Sequence, residues 1–157
     1  MHKLAHFTSP KLSSKEAKIF RERDFIKKLN HLDQIWSCLS SRYGDTLAVK
    51  DLRGKNKEQF NYLELEQLIT KASKAFFNIG LRKGEVVTII SENSPRWLIA
   101  DQAIMRLSAI DAVRGVNSPS VELDYIIKHS KSVGLIIQDN SIWEKLKNKE
   151  ELLKDLK

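Results

Sequence analysis

The sequence predicts an α/β fold: an incomplete parallel sheet of βα units with flanking helices, preceded by two N-terminal helices and a β-hairpin. Three observations carry this. Val86-Val87-Thr88-Ile89-Ile90 is a continuous β-branched run, the pattern of a strand covered on both faces. Two apolar runs are each followed by a Ser-Pro pair, Ser94-Pro95 and Ser118-Pro119, and then by helical periodicity. From residue 62 the elements alternate α-β-α-β-α-β-α, which requires right-handed crossovers between parallel strands.

Taken in order, residues 13–29 read as a helix with Ser13-Ser14-Lys15-Glu16 at its start and Ile19, Phe25, Ile26 and Leu29 as a partial apolar stripe. Its polar side is basic, so it suits either a membrane surface or the protein's own body. The interruption by Glu22, Arg23 and Asp24 favours the body. A second helix is expected from His31 to Arg42, with Leu32, Ile35, Trp36 and Leu39 in helical spacing and Gly44 as its stop. Leu47 to Leu52 reads as a strand, Arg53-Gly54-Lys55-Asn56 as a turn, and Glu58-Gln59-Phe60 as the start of the return strand of a hairpin.

Asn61 followed by Glu64 is a capping-box pattern that opens the best-defined helix. Leu65, Leu68, Ile69, Ala72, Ala75, Phe76 and Ile79 are expected on its buried face, with Gly80 as the left-handed stop. Val86–Ile90 is the first parallel strand. Ser94 should cap the next helix with Pro95 at its first position, and Trp97 to Leu107 is apolar enough to be deeply buried. Ala112–Val116 is expected as the second strand. Pro119–Ser130 is the third core helix, with Val121, Leu123, Tyr125, Ile126 and Ile127 inward, and Val133–Ile137 is the third strand. Ser141 with Glu144 should open a last helix whose charged tail from Lys147 lies in solvent. The expected organisation is a helical segment over 1–43, a partial α/β subdomain over 44–143 and a charged helix over 144–157.

The 157 residues make one ordinary domain by length, with 41% apolar and 30% charged residues. No run approaches the roughly 20 apolar residues of a membrane-spanning helix, and the first residues lack the apolar stretch of a secretory signal. Residues 1–15 hold three lysines and no acid, which a transit peptide and a short disordered start share; the second is the reading adopted. Cys38, the single cysteine, is expected as a plain buried residue in a reducing, cytoplasmic setting. The net charge of +7 is spread along the chain, +4 over residues 1–45 and +3 over the rest, without a basic block or aromatic–basic alternation, so nucleic acid is not an expected partner.

In open α/β sheets ligands bind beyond the carboxyl ends of the strands. Those ends are Ser91–Ser94, Gly115–Ser118 and Gln138–Asn140. Helix starts at the first two can attract an anion, but each Ser-Pro is read first as a cap. The six glycines form neither a dinucleotide fingerprint nor a phosphate-cradling loop. The histidines (His2, His6, His31 and His129) stand in unrelated surroundings without zinc spacing, and His129 is read as a surface or capping residue. Asp101, Asp111 and Arg114 are charges embedded in apolar segments. A carboxylate–guanidinium pair tying helix to strand is expected among them.

Several segments together resemble a known family. Phe60-Asn61-Tyr62-Leu63-Glu64-Leu65, Gly80-Leu81-Arg82-Lys83-Gly84-Glu85-Val86-Val87 and Glu92–Asp101 are similar to the opening of the adenylate-forming (AMP-dependent) synthetases. Asp101-Gln102, Asp111-Ala112-Val113-Arg114-Gly115, Asn117-Ser118-Pro119, and Glu122-Leu123-Asp124-Tyr125-Ile126 with His129-Ser130 look most like long-chain fatty acid–CoA ligases, with the forms that load acyl carrier protein especially close. The resemblance covers about residues 44–143 and is specific collectively, not by any one segment.

The resemblance implies a two-step reaction. A fatty carboxylate attacks the α-phosphate of ATP-Mg and releases pyrophosphate, and a thiol of coenzyme A or acyl carrier protein then takes the acyl group. Such enzymes hold the phosphates with a Ser/Thr/Gly-rich loop ending in Pro-Lys-Gly, a Thr-Glu motif, a ribose-binding Asp and a lysine of a mobile domain, and none of these motifs occurs here. No catalytic, cofactor-binding or metal residue therefore carries over. The chain is expected to be the N-terminal piece of such a ligase (a truncated reading frame, one half of a split gene or an excised fragment), inactive alone; if activity exists, a complementary ligase polypeptide must provide the missing loop. Exposed apolar surface and a strand edge imply self-association. The alternative is a stand-alone interaction module that contacts acyl carrier protein or, peripherally, a membrane surface.

Overall fold

The computed structural model of the chain describes residues 13–14, 29–52, 57–146, 150–151, 154 and 156–157. The chain divides into two compact units, residues 1–30 and 31–157. The helix expected over 13–29 lies almost wholly outside the described residues, and the turn expected at Arg53–Asn56 lies outside them entirely.

Within residues 31–157, a 3-10 turn (Leu32–Gln34) feeds α1 (Ile35–Tyr43), which stops at Gly44 in a positive-φ conformation (+37°). The hairpin forms as expected. Strand β1 (Leu47–Lys50) pairs antiparallel with β2 (Gln59–Asn61), in the register Leu47↔Asn61 and Lys50↔Gln59. The first strand is shorter than expected, because Leu52 has already turned out into solvent.

Helix α2 (Tyr62–Asn78) opens with the capping box: the Glu64 N–H donates to Asn61 Oδ1 at 2.7 Å, and the Asn61 N–H donates to Glu64 Oε2 at 2.9 Å. It closes in a Schellman turn, with the Leu81 N–H on Phe76 O (3.0 Å), the Gly80 N–H on Phe77 O (3.1 Å) and Gly80 at φ +104°. Its buried row is Leu65, Ile69, Ser73, four residues apart, as one helix face demands. That row corrects the expected stripe. Ala75 is exposed, and Ile79 stands 69% exposed beyond the end of the helix.

The sheet contains β3 (Val86–Ile90), β4 (Ile110–Arg114) and β5 (Gly134–Ile137) in the order β4-β3-β5, all parallel. Central β3 is covered on both faces. On one, Val87 and Ile89 pack with Leu81 and Ile104; on the other, Ile90 packs with Leu123, Ile127 and Ile142. Thr88 is fully buried and its hydroxyl is satisfied by Ser132 Oγ at 2.6 Å. Strand β4 begins and ends two residues earlier than expected. The Ile110 N–H reaches Glu85 O at 2.8 Å and Ser91 N–H reaches Arg114 O at 3.2 Å, while Gly115 and Val116 belong to the turn that follows.

Three helices cover the sheet: α3 (Pro95–Arg106), α4 (Ser120–His129) and α5 (Asn140–Lys145). Helix α3 is less enclosed than its composition suggests; Pro95, Ala103 and Ile104 are buried and the remaining apolar side chains are half-buried. In α4, Leu123 and Ile127 face the core, whereas Val121 and Tyr125, expected inward, are 68% and 60% exposed on the opposite side. The last helix is capped by Asp139, whose side chain accepts from the Ser141 N–H, and not by the expected Ser141 and Glu144. It ends at Lys145. Leu146 then turns extended and buries itself. The tail is not wholly in solvent: Lys128 pairs with Glu151 at 2.7 Å, and Lys157 is bound to the sheet. Among the described residues no helix is long and apolar enough to cross a membrane.

Candidate functional site

The carboxyl ends of β3, β4 and β5 lie side by side, as the parallel register requires. The protein's own groups make polar contacts along this rim. After β3, the Glu92 N–H donates to Gln138 Oε1 (3.0 Å), and Ser94 Oγ accepts the Trp97 N–H (3.1 Å) at the start of α3. After β4, Val116 O accepts from Lys145 Nζ (2.6 Å). After β5, Asp139 takes the Ser141 N–H and hydroxyl, and Gln138 Nε2 donates to Asp139 Oδ2 at 3.2 Å. The Ser141 hydroxyl bond, and next the Gln138 bond, hold the Asp139 carboxyl below its ordinary pKa.

The two Ser-Pro pairs differ. Ser94 caps α3 with Pro95 in its first turn, as the sequence predicts. Ser118 does not cap α4: Pro119 itself occupies the cap position in an extended conformation (ψ 146°), and no side chain accepts there. A one-residue offset of the helix start moves the serine out of reach of the N–H groups it was expected to accept from.

Beside the start of α3, the hairpin and the helix bound an open cleft of about 430 Å³ lined by Val49, Lys50, Asp51, Ser94, Trp97 and Leu98. The Trp97 indole N–H is enclosed without a hydrogen-bond partner among the described residues. A second cleft, of about 120 Å³, is apolar and lies along β5, between Phe76, Ile79, Leu81, Val87 and Leu135.

The charges embedded in apolar segments do not pair as expected. Asp111 and Arg114 stand three apart on β4, and alternation sends residues at odd spacing to opposite faces. Arg114 Nε lies 3.0 Å from Glu122 Oε1 on α4, an ion pair by distance without hydrogen-bond alignment. Asp101 instead faces Asp111. Burial raises its pKa most, Asp111 raises it further, and the hydrogen bond from Gln102 (2.5 Å) opposes the shift. Gln102 in turn accepts the Trp36 indole N–H at 2.6 Å, so α1, α3 and β4 share one polar seam.

A second polar seam went unread in the sequence. Arg106 donates to Glu66 Oε2 (2.8 Å) and Thr70 Oγ1 (2.5 Å), and Ser37 donates to the other oxygen of Glu66 at 2.9 Å. The Arg106 and Glu66 side chains are 17% and 16% exposed, so this pair is structural and binds three helices together. The spacing of Glu66 and Thr70, one turn apart on α2, was its available signal. Cys38 is half-buried, not buried as expected. His129 ends α4 exposed, its ring stacked on Tyr125 at 5.1 Å. Among the described residues no three His, Cys, Asp or Glu side chains converge as metal ligands.

Of the donors described at these strand ends, Lys145 and the Glu92 N–H already have internal partners, so neither is an open donor for the phosphates that the family resemblance implies.

Comparison with known proteins places the chain. The model of the AMP-binding enzyme family matches residues 38–157. Probable acyl-activating enzyme 16, chloroplastic, of Arabidopsis thaliana is 35% identical over 112 residues, which cover 71% of this chain and 16% of that protein. Long-chain-fatty-acid–[acyl-carrier-protein] ligase AEE15, chloroplastic, from the same plant is 33% identical over 112 residues, covering 71% of this chain and 15% of that protein. The N-terminal subdomain of Klebsiella oxytoca NpsA superposes with a TM-score of 0.63 at 26% identity, over 71% of this chain and 28% of that one. The chain thus spans about one sixth of the length of the curated relatives. Its fold is that of the N-terminal domain of adenylate-forming enzymes, its sequence is homologous to fatty-acid ligases, and it belongs to the AMP-binding enzyme family.

Proposed function

We propose that the chain is the N-terminal scaffold of a long-chain fatty-acyl ligase, acting within an enzyme that forms an acyl-adenylate from ATP-Mg and passes the acyl group to coenzyme A or acyl carrier protein. In this reading the residues 31–157 supply sheet and helix packing, and other polypeptide supplies the grip on the triphosphate. The observation that carries it is the combination of 33% identity to a fatty acid–acyl carrier protein ligase with strand ends at which Lys145 and the Glu92 N–H are bound internally. Residues at this rim contribute by fixing the strand ends: Gln138 ties β5 to the turn after β3, and Lys145 ties α5 to the turn after β4. A cytoplasmic or organelle-interior setting suits that chemistry.

Fatty acid-dependent exchange of pyrophosphate into ATP tests the proposal in two arms. The pure chain should give no exchange above background. A chimera of the Arabidopsis ligase that carries this chain's matched segment in place of its own should retain fatty acid-dependent exchange. Exchange by the chain alone, or a folded chimera that binds nucleotide yet exchanges with no fatty acid, would reject it.

A further inference from the structure

The two ends of the sheet differ in charge. Glu92, Glu122 and Asp139 stand beyond the carboxyl ends of the strands. The segments that lead into the strands are the opposite. Residues 67–84, before β3, hold four Lys/Arg and no acid, and residues 125–138, which lead into and through β5, hold two lysines and no acid. Backbone bonds gather these entries at the amino end: the Gly84 N–H on Ser108 O (2.9 Å), the Ile110 N–H on Glu85 O (2.8 Å) and the Val133 N–H on Val86 O (2.9 Å). Arg82, Lys83 and Lys131 are exposed there. Two acids reach this end, Glu85 and Glu151, and each is taken by a lysine, Lys157 and Lys128.

Large apolar side chains stand in solvent at the same end. Phe77 is 51% exposed, Ile79 69% and Ile110 52%. The Arg82 guanidinium lies 4.2 Å from the centre of the Phe77 ring and donates to Phe77 O (2.7 Å) and Leu81 O (3.0 Å). The corner between α2 and β3 is therefore held as one cation–aromatic unit with its apolar edge outward. Single apolar tips set beside cations suit a lipid headgroup layer, which takes each tip separately and attracts positive charge. A protein partner would call for one contiguous apolar patch at the centre of the contact.

We propose that the amino-end face of the sheet is a peripheral docking surface for an anionic lipid bilayer. Phe77, Ile79 and Ile110 enter the boundary between headgroups and acyl chains, and Arg82, Lys83 and Lys131 meet the lipid charges. Among the described residues no helix is long and apolar enough to cross a membrane, so the contact is made from one side. In this pose the strand-end rim, at the opposite end of a parallel sheet, points away from the lipid. The surface is separate from the basic segment before residue 30, and the proposal does not rest on the ligase reading.

Co-sedimentation of the full chain with phosphatidylcholine vesicles, with and without about 30% phosphatidylserine, tests it. The parent should bind the anionic vesicles about tenfold or more tightly than the neutral ones and leave them as salt rises. Lys83→Glu with Lys131→Glu should weaken anionic binding by about tenfold or more, and the milder Lys83→Gln with Lys131→Gln by an intermediate factor. Phe77→Ser with Ile79→Ser should also weaken it by about tenfold. Lys50→Glu, an exposed control beside the start of α3, should stay within about twofold of the parent. Circular dichroism and urea unfolding identify the variants that keep the fold, and the comparison is made among those. No binding, equal binding to both vesicles, or full binding by the folded Lys83/Lys131 variants (the basic N-terminal segment acting instead) would each overturn the proposal. So would full binding without Phe77 and Ile79, or displacement of the vesicles by an acidic protein such as acyl carrier protein, which would reassign the surface. Because the readout is partition and not catalysis, the proposal can fail while the ligase reading stands, and the reverse.

Discussion

Asp101 stands in surroundings that disfavour its charged form. It sits on α3 facing Asp111, and burial first, then the second carboxyl, raises its pKa. A raised acid pKa penalises the folded state in full above the folded value, and the penalty vanishes as pH falls below the ordinary aspartate value of 3.8. Asp101→Asn should therefore stabilise the protein at neutral pH, with an advantage over the parent that shrinks on acidification. Urea unfolding of both proteins across that range checks the sign, and an advantage that grows on acidification would refute it. The two Ser-Pro pairs offer a second contrast. Ser94→Ala removes a cap and should cost about 1 kcal/mol, whereas Ser118→Ala, with no capping bond to lose, should stay within about 0.5 kcal/mol of the parent. At this scale the sequence was half legible. Asn61 with Glu64 announced a capping box because both partners lie within one turn. The partners of Arg106 and Arg114 come from other elements, and which face each residue takes was settled only by register.

Elements were legible where periodicity was uninterrupted. Val86–Ile90 was recognisable as a two-sided strand because every residue is apolar or Thr, and the structure places it at the centre of the sheet. Strand β4 was misplaced by two residues because Asp111 and Arg114 break its apolar run, while Val116, outside the strand, extends it by appearance. Alternate faces of a strand near the sheet margin tolerate such charges. Helix α4 shows the same limit. Val121 and Tyr125 lie on the face away from Leu123 and Ile127, and an apolar side chain reveals its face only when its row is known. Ile89→Ala, in a fully buried side chain between β3 and α3, should cost about 3–4 kcal/mol of unfolding free energy. Arg106→Met should cost about 2 kcal/mol, since it strips the donor shared by Glu66 and Thr70 where α2 meets α3. Denaturant titration distinguishes the two from surface substitutions, which should fall near zero.

For the whole molecule, the family was legible and the division of labour inside it is the open proposal. The alternation of strands and helices and the wording of the segments between Phe60 and Ser130 sufficed to point to adenylate-forming enzymes, and the match over residues 38–157 bears that out. What no linear reading could supply was the state of the strand-end rim. Gln138 on the Glu92 N–H and Lys145 on Val116 O are contacts between residues 46 and 29 positions apart, and they engage donors at the strand ends with the chain's own groups. The central claim is that this chain builds the scaffold of an acyl-activating enzyme without the groups that grip a triphosphate. Calorimetric titration of ATP-Mg into the purified chain tests it most directly. The account predicts no saturable heat at millimolar nucleotide; a one-to-one site of micromolar affinity would contradict it.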